Sequence, residues 1–170
     1  MLPSAIGTDA CSLARRWVLA PTLAKMVVEL EGVAKDGFAA AGIQWPGLWI
    51  ISGQRSAAHQ ASLNPFAPKS RHIECPSLAV DLRVENIPAS ITQEEVWGIL
   101  GDIWEDMGGR WGGNFRTPDL NHFDVDYTRG HGILTGPGWP LEELLLPASQ
   151  RKTLVAKVVQ WVLRFSGVIT

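Results

Sequence analysis

The sequence predicts an α+β domain. Apolar residues recur at helical spacing in three long segments, and short apolar runs of strand type lie between them. The two kinds of segment mix without the regular strand–helix–strand rhythm of a parallel sheet. At 170 residues the chain has the length of one domain and can bury a real core.

Taken in order, residues 13 to 41 read as mostly helical. Leu19, Leu23, Met26, Val27 and Leu30 recur at spacings of three and four, and Pro21 sits where a first turn tolerates it. "GIQWPG" punctuates the chain, and "LWIIS" at 48 to 52 is a short apolar run of the buried-strand type. Residues 56 to 63 predict a short helix, ended by the proline-rich "NPFAPKS" that leads to His72. "SLAVDLRV", 77 to 84, is the second strand. Ser90 with Gln93 has the spacing of a capping box and opens a helix through about Met107. "GGRWGGNFRTPDLN" is a glycine-rich loop, and "HFDVDY", 122 to 127, alternates like a strand. Glycine and proline dominate 130 to 140. The last segment, 148 to 165, aligns Leu154, Val155, Val158, Val159 and Val162 on one helical face. No internal repeat and no low-complexity tract is present in the chain.

Composition excludes several classes of function. A net charge of −2 and a pI near 6.1 argue against nucleic acid or an anionic membrane as the main partner. Two cysteines, Cys11 and Cys75, are too few for a disulfide scaffold. No apolar run reaches the roughly 18 residues of a membrane-spanning helix. The N-terminus lacks the basic start and apolar stretch of a secretory signal, so the chain is expected to be made in the cytoplasm. Eight tryptophans suit either a thick core or a gripping surface.

The residues that draw attention are polar. Asp81 interrupts the apolar strand "LAVDLRV" nine residues after His72. Alternation puts Leu78, Val80 and Leu82 on one side and Ala79, Asp81 and Arg83 on the other. Taken alone, Asp81 and Arg83 could pair on a solvated face, and His72 could be a plain loop histidine. Asp124 and Asp126, alternating with Phe123 and Val125, allow the same reading. If the fold brings His72, Asp81 and His122 together, they supply the three nitrogen and oxygen ligands of a catalytic zinc site, with the fourth position left to water. Asp119, three residues before His122, could then serve as a base beside that water.

Read together, the motifs resemble the zinc peptidase family of D-alanyl-D-alanine carboxypeptidases and phage L-alanyl-D-glutamate endolysins. That family carries Ser-x-His, a short spacer, Ala-x-Asp, and later an acid three residues before a histidine. Here these are Ser70 and His72, Ala79 and Asp81, then Asp119, His122 and Phe123. "ISGQRSAAHQ" resembles the family's Ser-Gly-Tyr-Arg-Ser…Gln segment through Ser52, Gly53, Arg55, Ser56 and Gln60. "RWGGNF" resembles the Trp-Gly-Gly stretch of the endolysin branch, and "VLAPTLAKMV" the helix before the first strand. The resemblance covers residues 15 to 127. The chain departs from the pattern by two extra residues between His72 and Asp81, by Ser77 in place of the spacer glycine, and by Gln54 in place of an aromatic. The insertion brings in Cys75, whose thiolate would be a rival zinc ligand.

The resemblance implies a hedgehog/DD-peptidase-like fold, a small antiparallel sheet with helices packed on it. Residues 1–147 would form the zinc peptidase domain, and the helix in 148–170 would dock on it. It implies Zn2+ held by His72, Asp81 and His122, with Asp119 as catalytic acid–base. Arg55 would stabilise the oxyanion or pair with a substrate carboxylate, and Ser52 and Gln60 would join it in binding substrate. The substrate would be the stem peptide of bacterial peptidoglycan. The "WGGNF" loop and compact size favour an L-alanyl-D-glutamate endopeptidase of a phage, made in the host cytoplasm and acting in the cell wall. The alternatives are a D-alanyl-D-alanine carboxypeptidase, a virion-associated tail component with a peptidase-like fold, or an inactive zinc-binding module. Presence of all four mechanistic positions disfavours the last. His59 and His131 receive no role, and Trp111 suits the cleft or the core equally. Arg151, Lys152, Lys157 and Arg164 flank the apolar face of the final segment, which would dock on the domain or attach to a virion or membrane surface.

Overall fold

The computed structural model of the protein describes residues 19–55, 57–63, 70–73, 77–125 and 146–167. Its elements are α1 (Pro21–Ala40), β1 (Gly47–Ser52), α2 (Ala57–Leu63), a 3-10 turn (Arg71–Ile73), β2 (Ala79–Glu85), α3 (Gln93–Asp106), β3 (Arg110–Trp111), β4 (His122–Asp124) and α4 (Ala148–Phe165). The strands make one antiparallel sheet in the order β1-β2-β4-β3. This is the α+β arrangement that the sequence predicts. Expectations for Cys11, Ser56, Cys75, Asp126, His131 and the stretch 130 to 140 lie outside the described residues.

Helix α1 buries Leu23, Met26, Val27, Leu30, Val33, Ala34 and Phe38, a stripe at spacings of three and four that covers one side of the core. Leu19 is buried as well but stands before the helix, where it forms a bridge with Ser77. The helix starts two residues later, with Pro21 in its first turn, since proline's fixed φ suits an entry and its missing N–H costs nothing there. The capping box also sits two residues beyond the expected Ser90–Gln93. Thr92 accepts from the Glu95 N–H, and the Glu95 carboxylate accepts from the Thr92 N–H at 2.7 Å. The same spacing recurs at both pairs, and the charged carboxylate in the first turn is the stronger partner for the helix dipole.

Strand β2 runs through the middle of the sheet. Val80, Leu82 and Val84 face the core with Leu48 and Ile50 of β1 and Phe123 of β4. Trp97 and Trp104 of α3 close over the Phe123 ring, with centroids at 6.0 and 5.5 Å. Trp111 belongs to this core too: its indole donates to the Leu120 carbonyl at 2.9 Å. Helix α4 buries Leu154, Val158 and Val162 and lies on α1, where Arg151 bridges Glu29 and Asp36 at 2.6 and 2.9 Å. Val155 and Val159 are only partly covered. Gly37 permits the close crossing, because a Cβ there would lie 2.3 Å from Val158 Cγ1. Among the described residues no helix is long and apolar enough to cross a membrane.

Candidate metal centre

The face of the sheet opposite the core carries two rows of side chains across the strands. Strand register sets Asp81 beside His122, and it sets Ala79 beside Asp124 and Asp124 beside Arg110. Directly paired residues project to the same face, so each row is one polar cluster. A bulge in β1 completes the first row. Ile50 pairs with Leu82 but Ser52 pairs with Asp81, so one extra residue, Ile51, is accommodated in β1. In a regular register Ile51 would pair with Asp81, and Ser52 would stand opposite Val80 and turn toward the core; the bulge returns Ser52 to the polar face. Ala79 is fully buried and small, which leaves its cross-strand neighbour Asp124 room to lie over it.

His72 comes from the 3-10 turn, which is tied at several points. Its N–H lies 3.3 Å from the Ser70 hydroxyl, and its carbonyl accepts from the Arg55 N–H at 2.8 Å. The ring is buried, with Nδ1 2.6 Å from the Gly53 carbonyl. A carbonyl only accepts, so Nδ1 keeps its proton and Nε2 is the nitrogen that can serve a metal. That Nε2 lies 3.1 Å from Asp81 Oδ1 and 3.3 Å from His122 Nδ1, and His122 Nδ1 lies 3.2 Å from the same Oδ1. Zinc with ligands at about 2.0–2.1 Å in tetrahedral geometry needs donor atoms about 3.3 Å apart. The three atoms therefore form a triangle of the right size, and the buried group could hold a metal ion.

Electrostatics hold the site charged. Burial works to raise the Asp81 carboxyl, but hydrogen bonds from His122 and His72 and the charges of His72 and Arg55 keep it well below the usual range. Burial likewise works against a charged His122. Hydrogen bonds to Asp124 and Asp81, and the charges of both carboxylates, win and lift it to about 9. Asp124 is held low, against its burial, by hydrogen bonds from His122 and Arg110 and by their charges.

The remaining expected residues gather around a cleft of about 500 Å³. Arg55 pairs with Asp81 through Nη2, while its Nε donates to Ser52 Oγ at 2.8 Å and its Nη1 to Gln60 Oε1 at 3.1 Å. Ser52 and Gln60 thus orient the arginine, which lines the cleft with Gln60. Three of the five guanidinium N–H groups are engaged, leaving one on each terminal nitrogen. Arg83 does not pair with Asp81; it reaches Glu85 at 2.9 Å on the solvent side. Asp119 lines the same cleft from a turn whose backbone is fixed on both sides: its N–H donates to the Gly112 carbonyl at 2.9 Å, and its carbonyl accepts from the His122 N–H at 3.1 Å. His59 is exposed on α2.

Two residues of the site escape the motif reading. Asp124, fully buried, accepts from Arg110 Nε and Nη2 at 2.9 and 2.6 Å and from His122 Nε2 at 3.1 Å. The signal was an acid two residues after His122, hence on the same strand face, but nothing in the sequence shows that β3 would bring an arginine beside it. Comparison of the chain with protein-family models, with curated proteins and with solved structures finds no match. The class of site rests on its own geometry: two histidines and an aspartate, buried together at the floor of a cleft, with an arginine and a second acid at hand.

Proposed function

We propose that the protein is a zinc-dependent peptidase with a hedgehog/DD-peptidase-like fold, cleaving the bond between L-alanine and D-glutamate in peptidoglycan stem peptides as a phage lysis enzyme. The observation that carries this reading is the donor triangle of His72 Nε2, Asp81 Oδ1 and His122 Nδ1 in one cleft with Arg55 and Asp119. Two imidazoles and one carboxylate are a donor set suited to zinc that leaves a position for water. Zinc so held would bring the pKa of that water to about 7 and act as a Lewis acid toward a carbonyl.

The chain's own residues supply the rest. Asp119, exposed in the cleft, accepts the proton of the attacking water and returns it to the leaving amine. Arg55 is pre-oriented by Ser52 and Gln60, so its two remaining N–H groups face the substrate at little entropic cost. They can take a carboxylate of the stem peptide or the oxyanion of the breaking bond. The "WGGNF" stretch, which runs from Trp111 of β3 toward Asp119, favours the endopeptidase through its resemblance to the endolysin branch.

Digestion of purified peptidoglycan, with the new termini identified by mass spectrometry, tests the proposal. Cleavage between L-alanine and D-glutamate, lost in Asp119→Ala and in a chelated sample, is the expected result. Release of terminal D-alanine would assign the same chemistry to a carboxypeptidase. Folded, metal-loaded protein that cleaves nothing would leave the virion-component or binding-module reading.

A further inference from the structure

We propose that Asp124 and Arg110 are positioning residues that hold His122 in place as an Nδ1 donor. The inference rests on reading His72, Asp81 and His122 as a metal site. An imidazole has two nitrogens, and only one orientation of His122 points Nδ1 at His72 Nε2 and Asp81 Oδ1, 3.3 and 3.2 Å away. What selects it is on the other side of the ring. Nε2 lies 3.1 Å from Asp124 Oδ2, and an ionised carboxylate only accepts, so Nε2 keeps its proton and Nδ1, beside the other two donor atoms, is the nitrogen that exchanges its proton for a metal.

Asp124 is in turn fixed. Its carboxylate has no exposed surface, and a buried charge persists only with partners. Arg110 supplies them as a fork, Nε to Oδ1 and Nη2 to Oδ2, which sets the plane of the carboxylate as well as its charge. The pair is built into the backbone, since Arg110 and Asp124 face each other across β3 and β4. Phe115 closes the side: its ring centre lies 5.6 Å from that of His122 and 5.0 Å from the Arg110 guanidinium carbon. An ion pair that merely joined β3 to β4 would not need the histidine; here one carboxylate serves both.

The test measures Zn2+ affinity by competition with a chromophoric chelator, and Co2+ visible spectra, for wild type, Asp124→Asn, Arg110→Met and Arg83→Ala. An asparagine offers a single acceptor oxygen, so it cannot satisfy the histidine and the fork together. Asp124→Asn is expected to bind Zn2+ about 10–100-fold more weakly, and Arg110→Met about 10-fold more weakly. Both should show an altered Co2+ spectrum, and Arg83→Ala, on the same sheet with its partner Glu85, should match wild type. Thermal unfolding of the metal-free proteins separates lost positioning from lost fold. If Asp124→Asn does not fold, Arg110→Met decides, because that side chain is 36% exposed and His122 remains as a partner of the carboxylate. Folded variants with Zn2+ affinity within about twofold of wild type and unchanged Co2+ spectra would overturn the positioning role alone. Wild type that binds neither ion would overturn the metal site itself.

Discussion

Replacing Gly112 by alanine would set a methyl group against the turn that carries Asp119 into the cleft. The added Cβ would lie 2.3 Å from the Asp119 carbonyl oxygen, 2.9 Å from His122 Cβ and 3.1 Å from the His122 carbonyl. The nearest atom is backbone, so no side-chain rotation relieves the clash. Carbon–oxygen contacts close at about 3.3 Å, so the turn must retreat by about 1 Å. Gly112 cannot give way either, because its own carbonyl accepts from the N–H groups of both Phe115 and Asp119. Overpacking of this kind costs about 1–3 kcal/mol of stability, and with Asp119 as the proposed acid–base a 1 Å displacement costs about 100-fold in rate. Urea unfolding gives the first quantity and the rate of peptidoglycan cleavage the second, with Zn2+ affinity reporting on His122. Gly112→Ala with wild-type stability, affinity and rate would refute the claim that this contact sets the positions of Asp119 and His122.

Two further predictions concern the fold and the metal-free site. Gly37→Ala should lower stability by up to about 2 kcal/mol, because the clash with Val158 outweighs the roughly 1 kcal/mol that alanine gains in helix propensity. Its cleavage rate should be unchanged, and a raised Tm would show that α1 and α4 can separate freely. In chelator, stability should fall as pH rises from about 6 to 9.5. His122 has its pKa raised from 6.5 to about 9, so its contribution is complete below 6.5 and lost through about 9, with an upper bound on the order of 3 kcal/mol. Asp81 and Asp124 are held low and act oppositely, contributing above their ordinary pKa and losing that contribution as acid is added. Urea midpoints across this range, compared with His122→Gln, check the sign; a decline that persists in that variant would assign it to other groups.

Asp81 was legible because an acid inside an apolar strand contradicts its neighbours, and its register partner His122 lies in a stretch that alternates like a strand. The mixed order of helical and strand-like runs was enough to give the α+β class. Asp124 looked like a solvated strand residue, and it would be one if β4 lay at the margin of the sheet. Its burial follows from the strand order β1-β2-β4-β3, which is tertiary information, and from the two-residue strand β3, too short for any periodicity. Local signals failed by small offsets. Leu19 fits the helical spacing of α1 yet belongs to a bridge, since spacing does not distinguish a buried residue on a helix from one just before it. Thr92 displaced Ser90 as cap because both satisfy one pattern and only the geometry of the first turn chooses. Trp111 could have served cleft or core until its pairing with Phe123 put it in the core.

The strand order also constrains how any peptide could lie on this protein. Asp81 and His122 sit on the two interior strands, and among the described residues the unpaired margins of the sheet are the outer sides of β1 and β3. An extended peptide added as a fifth strand at either margin would lie about 9.6 Å, two strand spacings, from the nearer of β2 and β4. That spacing sets it apart from the two strands that carry Asp81 and His122. On the proposed function, a stem peptide would instead cross the face of the sheet that carries the site, held at its ends and side groups. Such a grip is indifferent to the regular L-backbone that strand addition requires, and it suits a short chain of mixed chirality.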